Sequence, residues 1–203
     1  MGILRELFGP SREEVWRQLC REMQADYVKG GFWKGDKVRA QFKEWTITLD
    51  TYTVGDGESS TTYTRLRAPY VNADGFRFTI YRKSIFTAVG KYFGMQDIEI
   101  GEPFFDEEFV IQGNDTAKVI QFFRNPRIRE LIQGQPSIHL TVRDDEGWFG
   151  ATFPAGVDEL RFEVVGVIKD VERLKALYEL FAEALNQLCH MGSAYKDDPN
   201  LVF

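Results

Sequence analysis

The chain has 203 residues, 43% of them hydrophobic and 28% charged, with 17 Phe, which supplies material for one large core or two small ones. Its net charge of −6 argues against general nucleic-acid binding, and no apolar run approaches the roughly 20 residues of a membrane-spanning helix. The opening MGILRELFG is too short in its apolar part, and interrupted by Glu6, to read as a signal peptide, so Cys20 and Cys189 are expected as reduced thiols in a cytoplasmic protein.

In chain order, Ser11-Arg12-Glu13-Glu14 is a capping box. It predicts a helix with Val15, Trp16, Leu19, Cys20, Met23 and Tyr27 on one face and Gly30-Gly31 at its end. Residues 37 to 54 read as one long strand in which the apolar phase switches from Val38, Ala40 and Phe42 to Trp45, Ile47 and Leu49. A bulge at Lys43-Glu44 would restore one face to the core.

Leu66, Ala68 and Tyr70 alternate in one run and Phe76, Phe78 and Ile80 in the next. The two runs share a face if they form a hairpin around Ala73-Asp74-Gly75, with Gly75 left-handed. A short helix is expected over 84–93. In FFDEEFVIQ, Phe105, Phe109 and Ile111 alternate against Asp106, Glu108 and Gln112, the pattern of a half-buried strand. Asn114 is the expected N-cap of a helix carrying Val119, Ile120 and Phe123, with Asp115 in its first turn, and Asn125-Pro126 opens another helix.

A second hairpin is expected to set Ile138, Leu140 and Val142 against Phe149, Ala151 and Phe153, with His139 across from Thr152. Leu160, Phe162 and Val164 mark a further strand. Asp170 caps a last helix whose Leu174, Leu177, Tyr178, Phe181, Leu185 and Leu188 form an apolar stripe ended by Gly192, and an irregular tail is expected after it.

Strands that arrive in hairpins without a βαβ rhythm predict an α+β fold, mainly antiparallel sheet, with an N-terminal helix, short inserted helices and a long C-terminal amphipathic helix packed on it. The organisation expected is an N-terminal helical segment, 1–30, and an α+β domain, 31–203, with 37–93 and 104–190 as possible subdomains.

Candidate chemistry is sparse. The phosphate-loop, dinucleotide, zinc-protease and nucleophile-elbow motifs are absent from the sequence, so no cofactor is expected. The acids Asp106, Glu107 and Glu108 alternate sides on a strand with no His nearby, so no metal is expected there. His139 reads as a surface side chain. Cys189-His190 reads as the end of a helix, because adjacent helical residues diverge by about 100°.

Charge is unevenly spread. Residues 29–83 carry ten Lys/Arg and six Asp/Glu, and the remainder fifteen and twenty-five. If the even-numbered residues of the first hairpin face inward, Arg65, Arg67, Arg77, Tyr81 and Lys83 face outward together, with Lys37, Arg39 and Lys43 on the outward phase of the preceding strand. Asp50 and Glu44 are the nearest acids to offset them. Phe32-Trp33, between lysines and glycines, is a candidate docking pair or part of the core over the first helix.

The stretch FDEEFVIQGND resembles the F-D-x-x-F-x-V-x-(S/G)-x-D segment of uncharacterised bacterial domains of the DUF3137 kind. TYTRLRAPY, GFRFTIYRKS and the closing LRFEVVGVI with its amphipathic helix are similar in layout. The resemblance spans most of residues 37–190 and implies a domain without assigned catalysis; it transfers no functional residue. The expected function is a non-catalytic soluble binding or scaffold domain whose basic sheet face takes an anionic partner, either an acidic protein segment or an anionic lipid headgroup. The alternative is an enzyme or small-ligand protein with a pocket between the Phe-rich sheet and the C-terminal helix.

Overall fold

The computed structural model of the chain describes residues 9–31, 35–55, 59–85, 96–144, 153–197, 199 and 201. Among these residues the fold is α+β, with one nine-stranded sheet and five α-helices. The strands are β1 (Asp26–Val28), β2 (Lys37–Phe42), β3 (Trp45–Gly55), β4 (Ser60–Val71), β5 (Phe78–Arg82), β6 (Gln96–Asp97), β7 (Phe109–Gly113), β8 (His139–Arg143) and β9 (Val157–Val165). The helices are α1 (Arg12–Met23), α2 (Pro103–Glu108), α3 (Thr116–Phe123), α4 (Pro126–Gln133) and α5 (Val171–His190).

Every strand pairs antiparallel with its neighbours, in the order β1-β2-β3-β4-β9-β8-β5-β7-β6. The last strand in sequence therefore sits in the middle, and strands from 37–93 and from 104–190 are joined in one sheet. One face of this sheet carries Val38, Ile47, Leu49, Leu66, Ala68, Tyr70, Phe78, Ile80, Leu140 and Phe162 into a core shared with α1, α3, α4 and α5. Helix α5 packs against α1, α3 and α4, and Tyr178 donates a hydrogen bond to the Val38 carbonyl at 3.1 Å, tying the helix to β2.

The helix starts follow the side chains that satisfy their free N–H groups. The Ser11/Glu14 capping box forms, Asn125 accepts from Arg127 N and Asp170 accepts from Arg173 N. The start of α3 differs from the expectation: Asp115 is the N-cap, accepting from Lys118 N. Asn114 instead accepts from Arg77 N and donates to the Gly75 carbonyl, clamping two loops together.

Four expectations are corrected. Helix α1 ends at Met23, with Gln24 left-handed, and Tyr27 belongs to β1. The 37–54 run is two strands: Lys43 and Glu44 form a tight turn, and Val38, Ala40 and Phe42 lie opposite Leu49, Ile47 and Trp45. A two-residue turn switches the apolar phase as a bulge would, so periodicity alone does not separate the two.

The expected hairpin between 66–70 and 76–80 does not form. Its turn does, with Asn72 accepting from the N–H groups of Asp74 and Gly75 and with Gly75 left-handed. Beyond it the chain leaves β4, and β9 and β8 lie between β4 and β5. The even-numbered residues stay inward because every strand of the sheet must present its apolar phase to the same helices. By the same logic β8 pairs with β5 and β9, so His139 lies opposite Tyr81. Residues 145–152, where the second hairpin's return strand was expected, lie outside the described residues, as do Phe32 and Trp33 and most of the 84–93 helix.

FFDEEF is the fourth correction. Pro103–Glu108 is a short helix, and only Phe109 onward is strand. Phe105 and Phe109 are four apart, a spacing that also stacks on a helix, and both are buried. Asp106 accepts three backbone N–H groups, from Ile100, Gly101 and Glu102, at 2.9 to 3.0 Å, so its carboxylate organises the loop that precedes the helix. The described part of the C-terminal tail is irregular, as expected, and is pinned to the end of β4: Ala194 bridges to Asn72 and Tyr195 N donates to the Val71 carbonyl.

Gly113 on β7 is where α3 crosses closest. A Cβ there would stand 2.5 Å from Val119 Cγ2 and 3.2 Å from the Arg77 carbonyl oxygen. Gly113→Ala is therefore expected to lower the unfolding free energy by about 1–3 kcal/mol, read as a reduced urea midpoint with an unchanged slope.

Candidate functional site

The second face of the sheet, away from the core and its helices, is polar, and its geometry follows from register. Directly opposed residues in antiparallel strands project to the same face. One row crosses all nine strands: Asp26, Arg39, Thr48, Arg67, Arg161, Thr141, Thr79, Gln112 and Asp97. Beside it runs a row of Asp50, Arg65 and Glu163, with His139 Nδ1 3.7 Å from Glu163 Oε1. Next in order come Tyr52, Tyr63 and Val165, and then Val54 and Thr61.

Arg67 and Arg161 are directly opposed like charges, only 3% and 5% exposed. Such a pair is unfavourable unless carboxylates surround it. Three do. Asp50 takes a bidentate pair of bonds from Arg65, both at 2.9 Å, and lies 3.3 Å from Arg67. Glu163 accepts from Arg161 at 2.7 Å and from the Tyr52 hydroxyl at 2.8 Å. Glu159, with 0% exposure, stands 3.8 Å from Arg67 and 3.8 Å from Arg161.

The titration behaviour follows. Burial opposes ionisation of Glu163, but His139, Arg161 and Tyr52 outweigh it and hold its carboxyl well below the ordinary 4.5. Burial also opposes ionisation of Asp50, and Arg65, Arg67 and Lys37 overcome it and keep its carboxyl below the usual range. Tyr52 is pushed up to about 12 by burial and by the neighbouring Glu163 charge.

Of the residues expected to form a basic face, Arg65 and Arg67 are brought together on β4. Arg67 is buried in the ion network rather than presented to solvent, and Tyr81 is also buried, its ring edge against His139. Arg77 and Lys83 lie off opposite ends of β5, with five strand residues, roughly 17 Å, between them. Arg77 pairs with Asp158 and Asp144, and Lys83 donates to the Asp106 carbonyl. Lys37 and Arg39, on the outward phase of β2, do reach the same corner as Arg65 and Arg67.

Asp50 was expected as an acid offsetting the cations, and it does pair with Arg65 and Arg67; Glu159, Glu163, Tyr52 and Tyr63 were not singled out from the sequence. Their signal is the interleaving of Glu159, Arg161 and Glu163 with Leu160, Phe162 and Val164, and of Asp50 and Tyr52 with Leu49 and Thr51. Reading only the apolar phase of each strand passes over it.

The space between the Phe-rich face and α5 is filled: Phe78, Phe122, Phe123, Phe162, Phe181, Leu177 and Leu185 are all fully buried there. Among the described residues, cavities lie elsewhere. One of about 280 Å³ includes Asn72, Arg77, Asp144 and Asp158, and one of about 450 Å³ includes Lys83, Asp97, Asp106 and Phe109; neither touches α5. Among the described residues no group of three or more His, Cys, Asp or Glu is placed to hold a metal, and no helix is long and apolar enough to cross a membrane.

No family model matches this chain, and no curated protein does. Among solved structures, the crystal structure of the mycobacterial trehalose monomycolate transport factor A, TtfA, is similar, with a TM-score of 0.52 over 87% of this chain and 94% of that one, at 8% identity. The likeness is one of fold.

Because the carboxylate of Glu163 titrates below its unfolded value, it stabilises the fold above the ordinary carboxylate range and loses that contribution as pH falls through its folded value. Glu163→Gln is expected to cost about 2 kcal/mol at pH 7 and to flatten the fall in stability toward pH 3. Urea unfolding of both proteins across that range checks it; an equally steep pH dependence in the variant would contradict the assignment.

Proposed function

We propose that this chain is a non-catalytic binding or scaffold domain that takes an anionic partner on the polar face of its sheet. The observation that supports this reading is the corner over β2, β3 and β4, where Lys37, Arg39 and Arg65 gather on one face beside the buried Arg67–Asp50 pair, with Asp26 opposite Arg39. Arg65, held in place by Asp50, and the neighbouring Arg39 and Lys37 offer cationic groups to carboxylate or phosphate oxygens. The fold likeness to a transport factor is compatible with a non-catalytic role, and the filled space under α5 favours this reading over the pocket enzyme.

A bacterial, cytoplasmic setting and kinship with domains of the DUF3137 kind belong to the same proposal, on the FDEEFVIQGND stretch. Binding of this kind is modest and salt-sensitive, since surface cations are screened over a Debye length of about 8 Å at physiological salt.

The test uses poly-glutamate and phosphatidylglycerol vesicles as anionic probes with the full chain. Lys37→Gln with Arg39→Gln leaves the Asp50, Arg65 and Arg67 ion pairs intact. Salt-sensitive binding to at least one probe is expected. The double variant is expected to weaken it by about 1 kcal/mol per cation, roughly fivefold each. No binding at low salt, or binding indifferent to the double variant, would overturn the proposal.

A further inference from the structure

The polar face does not end at its ion pairs. Above Asp50, Arg65 and Glu163 lie Tyr52, Tyr63 and Val165, and beyond them Val54. The two tyrosine rings stack at 5.1 Å, and the Arg65 guanidinium lies over the Tyr52 ring at 4.7 Å. Val165 is 65% exposed and Val54 56%, so two branched aliphatic side chains and an aromatic pair form an apolar shelf beside a cationic corner. The tyrosines are rigid, bulky and already ordered, which is the character of anchoring positions at protein interfaces.

We infer that the partner on this face is a protein segment in extended form, in which an acidic residue engages the Lys37, Arg39 and Arg65 corner and a bulky apolar residue covers Val54, Tyr63 and Val165. The inference rests on the anion-binding reading above and names its partner. Charge complementarity sets one half of the match and the exposed shelf the other. The row of Arg65 and the row of Tyr63 and Val165 are two residues apart along each strand, about 7 Å, the spacing of residues i and i+2 on one side of an extended segment, with Arg39 one row before them and Val54 one row beyond.

A lipid surface fits this shelf less well. Opposite Thr53, Val54 and Gly55 stand Thr62, Thr61 and Ser60, hydroxyl side chains rather than the lysines and arginines that hold an apolar patch to an anionic bilayer.

The experiment selects random 12-residue displayed peptides on the full chain and then measures synthetic versions of the enriched ones by fluorescence anisotropy. The proteins compared are the natural chain, Val54→Ser with Val165→Ser, and Lys37→Gln with Arg39→Gln. Enriched peptides are expected to place Asp or Glu two positions from an aromatic or branched aliphatic residue. Both double variants are expected to weaken binding about tenfold, and the exposed valines should leave the melting temperature unchanged. The inference is overturned if nothing is enriched, if the enriched peptides are acidic without an apolar residue, or if the valine variant binds them as well as the natural chain. In those cases poly-glutamate or vesicle binding that still depends on Lys37 and Arg39 would leave the anion-binding reading standing, with a simple polyanion or a lipid surface as the occupant.

Discussion

The antiparallel pairing of β4 with β9 is the contact on which the rest of the molecule depends. It brings Val157–Val165, contributed late in the chain, against Ser60–Val71 over nine consecutive residue pairs. On one side β4 carries β3, β2 and β1; on the other β9 carries β8, β5, β7 and β6. Removing this ladder would leave two smaller sheets, each with an open edge and half a core. Closing so long a loop is entropically unfavourable until the central strand is in place, so the fold is built from non-local contacts and is expected to assemble slowly and cooperatively.

The same ladder writes both faces at once. Leu66 lies opposite Phe162, and both project into the helix-covered core. One residue along, Arg67 lies opposite Arg161 on the other face. A register slip of one residue would exchange the two, placing guanidinium groups among Phe and Leu. The opposed arginines are unfavourable in isolation and are held by Asp50, Glu159 and Glu163, each reached by register from β3 or β9. The ion network therefore specifies the alignment of the central strands at least as much as it stabilises them.

That arrangement grades the polar face from buried charge to exposed aromatic and aliphatic groups along the strands. The buried end is structural, since its carboxylates and guanidiniums pair their charges with one another. The opposite end, around Arg65, Tyr52, Tyr63 and Val165, combines ordered side chains with exposure, the combination that recognition surfaces require.

The sequence by itself determined the local elements and their phases. The Ser11/Glu14 box, Asn125-Pro126 and Asp170 start helices because a nearby side chain satisfies N–H groups that the helix leaves free. Leu66, Ala68, Tyr70, Phe76, Phe78 and Ile80 face inward because apolar alternation with period two admits one buried side. The α+β class and the antiparallel sheet follow from those same patterns. Partner choice was decided by tertiary structure alone. Periodicity states which face a residue takes and not which strand lies beside it, so the turn at Ala73-Asp74-Gly75 looked like a hairpin although β8 and β9 come between its arms. FFDEEF looked like a strand because its buried phenylalanines, four apart, suit helix and strand alike. The candidate site shares this origin: Arg65 and Arg67 were legible as outward cations on one strand, with Asp50 as an acid to offset them, but Glu159, Arg161, Glu163, Tyr52 and Val165 become their neighbours only through pairings up to about a hundred residues apart, which no local pattern encodes.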